Sequence, residues 1–271
     1  MPYRHIIYQK NDRIARLILN RPRYRNAQSR LMLEEMDAAF NEAMADDDVR
    51  VVVLSGAGDH FSSGHDLGTP EEVEDARHRP YGRGIREQHK RSWDLYLSNP
   101  LRWRDLPKPT IAQVHGYCIF GGWMIASAMD LIVAADDAMF LPSLTQYFSA
   151  PWDIGVRKAK EVLFQSRFMD AHEAMRAGFV NQVVPRADLD KESLALAGRI
   201  AQTDRFVLRL TKLAVNLAQD AMGFPAAIRG AHSQHFLLAA GGALRNAGDF
   251  TVEGRRMPGV EQALKKPGRA G

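Results

Sequence analysis

Two glycine-containing stretches carry the strongest chemical signal in the chain: His60-Phe-Ser-Ser-Gly-His-Asp-Leu67 and Val114-His-Gly-Tyr-Cys-Ile-Phe-Gly-Gly-Trp123. A carbonyl oxygen that gains negative charge during a reaction is stabilised best by donors already in place, and backbone N–H groups cannot be protonated away or rotated off target. Gly64 lets the chain turn sharply after a strand, which allows the N–H of His65 to point into a pocket. The Gly121-Gly122 pair opens a helix whose first N–H groups lack intrahelical partners and whose dipole favours negative charge. Gly121 is the expected second donor. Each stretch alone is ordinary punctuation; together they describe the two halves of an oxyanion hole.

Side chains near these stretches supply candidates for moving a proton. The His65 imidazole follows the first donor directly and titrates near neutrality. Asp153, in Ser149-Ala-Pro-Trp-Asp-Ile-Gly155, is flanked by Pro151 and Trp152, a setting that would raise its pKa and suit a base; helix capping is the other reading. Asp66 fits a structural role, bonding N–H groups of the next turn. Gln146 and Tyr147 can orient water or a carbonyl but are poor bases. His115 and Cys118 enter an apolar helix, where packing accounts for them. His232 and His235 stand one helical turn apart without a third ligand, so no metal is expected. Neither a Walker loop nor a spaced dinucleotide-binding glycine motif is present.

These residues need a scaffold. Ile14–Leu19, Val51–Leu54, Thr110–Val114 and Leu131–Ala135 are compact apolar runs between polar or glycine-containing turns, which predicts buried strands. Between the first two, Leu31, Leu33, Met36, Ala39, Phe40 and Met44 recur at helical spacing, with Ser29 as cap. An apolar helix from about Gly121 to Met129 joins the last two. Strand, helix, strand in repetition predicts an α/β core. Thr69–Pro109 breaks this rhythm and reads as a mobile insertion holding a helix near Gly84–Leu97. Asp170-Ala-His-Glu173 is a capping signal for a helix stopping at Gly178, followed by a short strand over Val180–Val184. Helices are expected near Leu189–Ala201, Arg205–Ala218 and Ala226–Ala240, and Pro258–Gly271 should fray. The chain divides into a core over 1–195 and a C-terminal helical region over 196–271.

Taken in order, Leu19-Asn-Arg-Pro22 with Asn26-Ala27, Val51–Gly56, Phe61–Leu67, Pro109–Gly122, Asp130 and Glu173-Ala-Met-Arg-Ala-Gly-Phe-Val180 resemble the crotonase, or enoyl-CoA hydratase/isomerase, superfamily over about residues 5 to 215. The resemblance implies a spiral ββα core with a C-terminal helical region, assembly as a homotrimer or hexamer through that region, and an acyl-CoA thioester whose carbonyl sits between the N–H groups of His65 and Gly121. It also implies that Arg23 and Arg25 lie near CoA phosphates or adenine. The backbone from Ser62 to Leu67, including Ser63, Asp66 and Leu67, would follow the pantetheine, with Gly122 beside the thioester. No cofactor beyond the coenzyme A moiety is implied. Two glutamates that handle water in hydratases of this superfamily would fall on Met124 and Leu144, which become pocket-lining residues. Proton transfer by a positioned group contributes roughly 10²- to 10⁴-fold, so ordinary hydratase activity is not expected. His65 or Asp153 is the candidate substitute, with wall or cap the other reading for His65 and helix capping for Asp153. The alternative is a homologue that binds acyl-CoA without hydratase turnover.

Bulk composition agrees with a small-molecule enzyme. Over 271 residues, Lys+Arg 36 against Asp+Glu 32 gives a net charge of +4, too mild and dispersed to signal nucleic acid. Cys118 is the only cysteine, which excludes an intrachain disulfide and fits a reducing compartment. With no signal-peptide pattern at the start, a cytoplasmic location is expected. The charge-free run from Gly116 to Met129 is shorter than the roughly 20 residues a bilayer requires, so no membrane partner is expected.

Overall fold

The computed structural model describes residues 3–240 and two paired dipeptide strands, Thr251–Val252 and Arg255–Arg256. The stretch Pro258–Gly271, expected to fray, lies outside the described residues. The architecture is α/β, with a six-stranded sheet in the order β1-β2-β3-β4-β6-β9. Its strands are β1 (Ile6–Asn11), β2 (Ile14–Leu19), β3 (Val51–Gly56), β4 (Thr110–Val114), β6 (Leu131–Ala135) and β9 (Gln182–Val184). Only the β1–β2 hairpin is antiparallel; every later neighbour is parallel. A smaller sheet joins β5 (Tyr117–Ile119), β7 (Met139–Leu141) and β8 (Met169–Asp170).

Side-chain alternation along β3 shows why these apolar runs become central strands. Val52 and Leu54 face one core with Leu17, Ala112, Ile132 and Trp103. Val51 and Val53 face the other, with Ile111, Val133, Leu189 and Ala197. The register Leu17↔Leu54, Leu54↔Ala112 and Ala112↔Ile132 aligns the first set across four strands. Burying a valine or leucine fully stabilises by about 1.5–3 kcal/mol, so the doubly covered strand strongly fixes its register.

The helix Arg30–Ala45 starts where Ser29 accepts a bond from the Met32 N–H, and it buries Met32, Leu33, Met36 and Phe40. Likewise Asp170 caps the helix Ala171–Arg176 by accepting from the Glu173 N–H at 2.7 Å. The segment expected to hold one helix holds more helix than that. Thr69 caps a helix over Pro70–His78, and a continuous helical stretch covers Ile85–Arg104, with a π-helical turn at Trp93–Ser98. No helix among the described residues is long and apolar enough to cross a membrane.

Candidate active site

The two glycine-bearing stretches meet through backbone pairing. Ser62 N donates to Tyr117 O at 2.9 Å, and Ile119 N donates to Ser62 O at 3.1 Å. On the other side, Ser63 N donates to Arg25 O, Gln28 N to Gly64 O and Asp66 N to Gln28 O. Because Gly64 O and Asp66 N both turn toward Gln28, the intervening His65 N–H faces the opposite way, toward the helix Gly121–Ser127. Gly64 has φ +93°, and a Cβ there would lie 2.9 Å from Gly121 N. Only glycine allows this approach. Phe120, at φ 50°, turns the chain into the helix and is pinned by its N–H bond to Leu141 O at 2.9 Å. Neither the His65 nor the Gly121 N–H donates to another backbone group among the described residues.

These amides border a cavity of about 530 Å³. Of the residues expected at the site, Arg23, Arg25, Ser63, His65, Asp66, Leu67, Gly121, Met124 and Leu144 line it. Arg23 and Arg25 are exposed. The turn carrying them is held by Asn26, whose Nδ2 donates to Ala57 O and His60 O while its Oδ1 accepts from Arg21 N. Asp66 borders the cavity, yet its carboxylate is committed. It accepts from Arg21 Nη1 at 2.7 Å and from the Gly68 and Thr69 N–H groups. Burial pushes this carboxyl up, but the bonds from Thr69, Gly68 and Arg21 hold it below the usual range.

The His65 ring lies against Gly121: a Cβ built there would sit 2.8 Å from His65 Nδ1 and 2.9 Å from Cε1. Its Nε2 meets Gln146 Oε1 at 2.8 Å, and Tyr96 covers the ring at a centroid distance of 3.9 Å. Burial brings its pKa down to about 4, outweighing the Gln146 bond. The imidazole is therefore neutral at physiological pH.

Residues 9–235 match the model of the enoyl-CoA hydratase/isomerase family. The chain belongs to that family. EchA13 of Mycobacterium tuberculosis, provisionally named an enoyl-CoA hydratase, is 40% identical over 257 residues, spanning 87% of this chain and 80% of that protein. A crystal structure of a probable enoyl-CoA hydratase from Mycobacterium smegmatis superposes with a TM-score of 0.81 at 40% identity, covering 90% of this chain and 98% of the other. Another from Mycobacterium thermoresistibile gives 0.79 at 42% identity, covering 89% and 98%.

Within this enoyl-CoA hydratase/isomerase chain, two expected site residues stand apart from the cavity. Gly122 packs inward, where a Cβ would come 2.5 Å from Ser62 O; its role is close backbone packing. Asp153, expected beside the reacting carbonyl, borders a different cavity, shared with Arg104, Asp130 and Lys212. Its Oδ2 accepts from Trp123 Nε1 at 2.9 Å, and Ser127 Oγ donates to both carboxylate oxygens. Trp123 and Ser127 are four residues apart and so share one helix face. Met124, on the neighbouring face, lines the cavity of His65. The physical reason for the displacement is the short turn Ala150–Asp153, closed by Gly155 at φ +74°.

Two cavity residues stand out that local sequence signals did not assign to the site. Gln146, expected only to orient water or a carbonyl, meets the His65 ring, and His235, one of two histidines a helical turn apart at which no metal was expected, reaches the cavity from the helix Phe224–Ala240. Helical spacing alone carried no hint that this terminal helix returns to the site.

Proposed function

We propose that this chain acts on an acyl-CoA thioester and stabilises its enolate between the N–H groups of His65 and Gly121. One observation carries the reading: Gly64 and Gly121 pack backbone to backbone, leaving those two amides without backbone acceptors among the described residues, beside an open-mouthed cavity. Donors placed this way act on charge that develops at the thioester oxygen and need no cofactor beyond the coenzyme A moiety. Arg23 and Arg25 are exposed cations suited to CoA phosphates, and Ser63 to Leu67 supplies backbone for the pantetheine. Met124 and Leu144 shape the acyl end.

Proton transfer in this reading falls to non-standard groups, since Asp66 is tied to Arg21 and Asp153 lies elsewhere. The His65 side chain is the ionisable group packed on Gly121. Ordinary hydratase turnover is expected to be weak. The protein works as a soluble cytoplasmic homotrimer or hexamer, with neither nucleic acid nor membrane as partner. Exposed Phe206, Leu210, Leu213 and Leu217, along one face of the helix Arg205–Ala221, support self-association.

The apolar pair Met124 and Leu144 also favours a second reading, an acyl-CoA-binding homologue without turnover. Incubating the protein with enoyl-CoA and 3-oxoacyl-CoA esters in deuterated water separates the two. Exchange at the α-carbon is expected; tight binding without exchange would replace the first reading by the second.

A further inference from the structure

Met124 joins the cavity to a buried apolar cluster. It borders the cavity at 2% exposure and belongs to a cluster with Leu97, Tyr147, Phe224 and Ile228. Of these five residues only Met124 borders that cavity, while Phe224 borders the second one, so the cluster stands between the two. Its members come from separate parts of the fold: Leu97 from the π-helical turn, Tyr147 from the segment after β7, and Phe224 and Ile228 from the C-terminal helix. Leu144 differs. It is half-buried and belongs to none of the buried clusters among the described residues.

The direction of Met124 follows from its place in the helix Gly121–Ser127, three residues past Gly121, with its N–H donating to Phe120 O at 3.2 Å. Helical side chains lean toward the helix N-terminus, so the thioether lies over the turn that carries Gly121. Three residues of helix rise about 4.5 Å, and an extended chain advances about 1.2 Å per bond. About four bonds therefore separate a carbonyl held at Gly121 from the methionine. The cavity's Arg23 and Arg25 are exposed. An acyl group whose CoA end lies at those arginines thus meets Met124 a few carbons past its carbonyl. Met124 has nowhere to retreat, because Leu97, Tyr147 and Ile228 are 0% exposed and Phe224 is 3% exposed, and a close-packed interior yields little free volume.

We infer that Met124 is a specificity-determining residue that stops the acyl chain, so that this protein takes short acyl groups of about four to six carbons. The inference rests on the acyl-CoA reading above and holds whether or not the bound ester turns over. Leu144 flanks the acyl group without setting its length.

Isothermal titration of the full chain with saturated straight-chain acyl-CoA esters, from acetyl to dodecanoyl, reads affinity without needing turnover. Wild-type affinity should rise about fourfold per added methylene up to about six carbons and then stop rising. Met124→Ala removes three heavy atoms, so the rise should continue for about two or three further carbons. Since truncating a buried methionine can unfold a protein, Met124→Val, which removes less, should move the same limit by a smaller step. Leu144→Ala should weaken the esters of four or more carbons by a common factor and leave the limit in place. A wild-type affinity that climbs steadily through dodecanoyl, or ignores length from acetyl upward, would overturn the inference. So would a limit at the same length in wild type and every folded Met124 variant. In those cases the esters still bind and the acyl-CoA reading survives; if no ester of any length binds, that reading falls together with the inference.

Discussion

Asp153 accepts the Trp123 indole N–H at 2.9 Å on the side of the helix Gly121–Ser127 that faces away from His65. Its carboxyl is pushed up to about 7, because burial outweighs the donors from Ser149, Ser127 and Trp123. An unfolded aspartate titrates near about 3.9, so the folded state holds this proton more tightly. The group thus contributes stability that is fully present below about pH 4 and is lost as pH rises through about 7. Asp153→Asn removes the charge. Its melting temperature should gain on wild type between about pH 5 and about pH 8, and α-proton exchange should persist. Loss of exchange in a folded variant would return Asp153 to the reaction.

Gly121 and Gly122 are adjacent yet should respond differently to alanine. At Gly121 a Cβ would meet Gln28 Oε1 at 2.7 Å and the His65 ring at 2.8 Å, both side-chain atoms that can move. At Gly122 it would meet the Ser62 carbonyl at 2.5 Å, which belongs to the pairing that joins the two stretches. Gly121→Ala should therefore fold but lose at least about 10²-fold in rate, as when an oxyanion donor is misplaced. Gly122→Ala should fail chiefly in denaturant unfolding. Equal stability losses for both would contradict this division.

Arg21 and Asp66 form a 2.7 Å ion pair with side chains 3% and 0% exposed. Removing one partner leaves the other charge buried, which costs about 3–5 kcal/mol. Asp66→Asn should lower stability by that order in urea titrations and loosen the turn that carries His65. Asp66→Ala should be worse, since it also strips acceptors from the Gly68 and Thr69 N–H groups. A shift below about 1 kcal/mol in either variant would argue that water reaches the pair.

The strands Thr110–Val114 and Leu131–Ala135 were legible to the residue because both of their faces are covered, which forces continuous apolar runs. The caps at Ser29 and Asp170 were legible because a short polar side chain before a helix has one local job. Thr69-Pro70-Glu71-Glu72 carried an equally good start signal, but the helix it opens buries no residue, so no apolar period drew it out. The strands β5, β7 and β8 are two or three residues long, too short for alternation to register. The two turns that border the cavity at His65 and Gly121 were visible as glycine-marked stretches. Gln146 was not assigned to His65, because their contact joins residues 81 apart through packing that no local pattern encodes.

The helix Arg205–Ala221 contains no buried residue, although Phe206, Leu210, Leu213 and Leu217 follow one another at helical spacing. Such a stripe in contact with water forfeits about 25 cal/mol for each Å² of apolar surface that an association would cover. Its Lys212 is turned inward to Asp130 at 2.8 Å, so the helix is anchored to the body by charge while its apolar stripe stays open. Leu213→Asp with Leu217→Asp should leave the fold intact and shift sedimentation equilibrium toward the monomer. If the pair leaves the mass unchanged, or wild type is already monomeric at micromolar concentration, the stripe does not drive assembly.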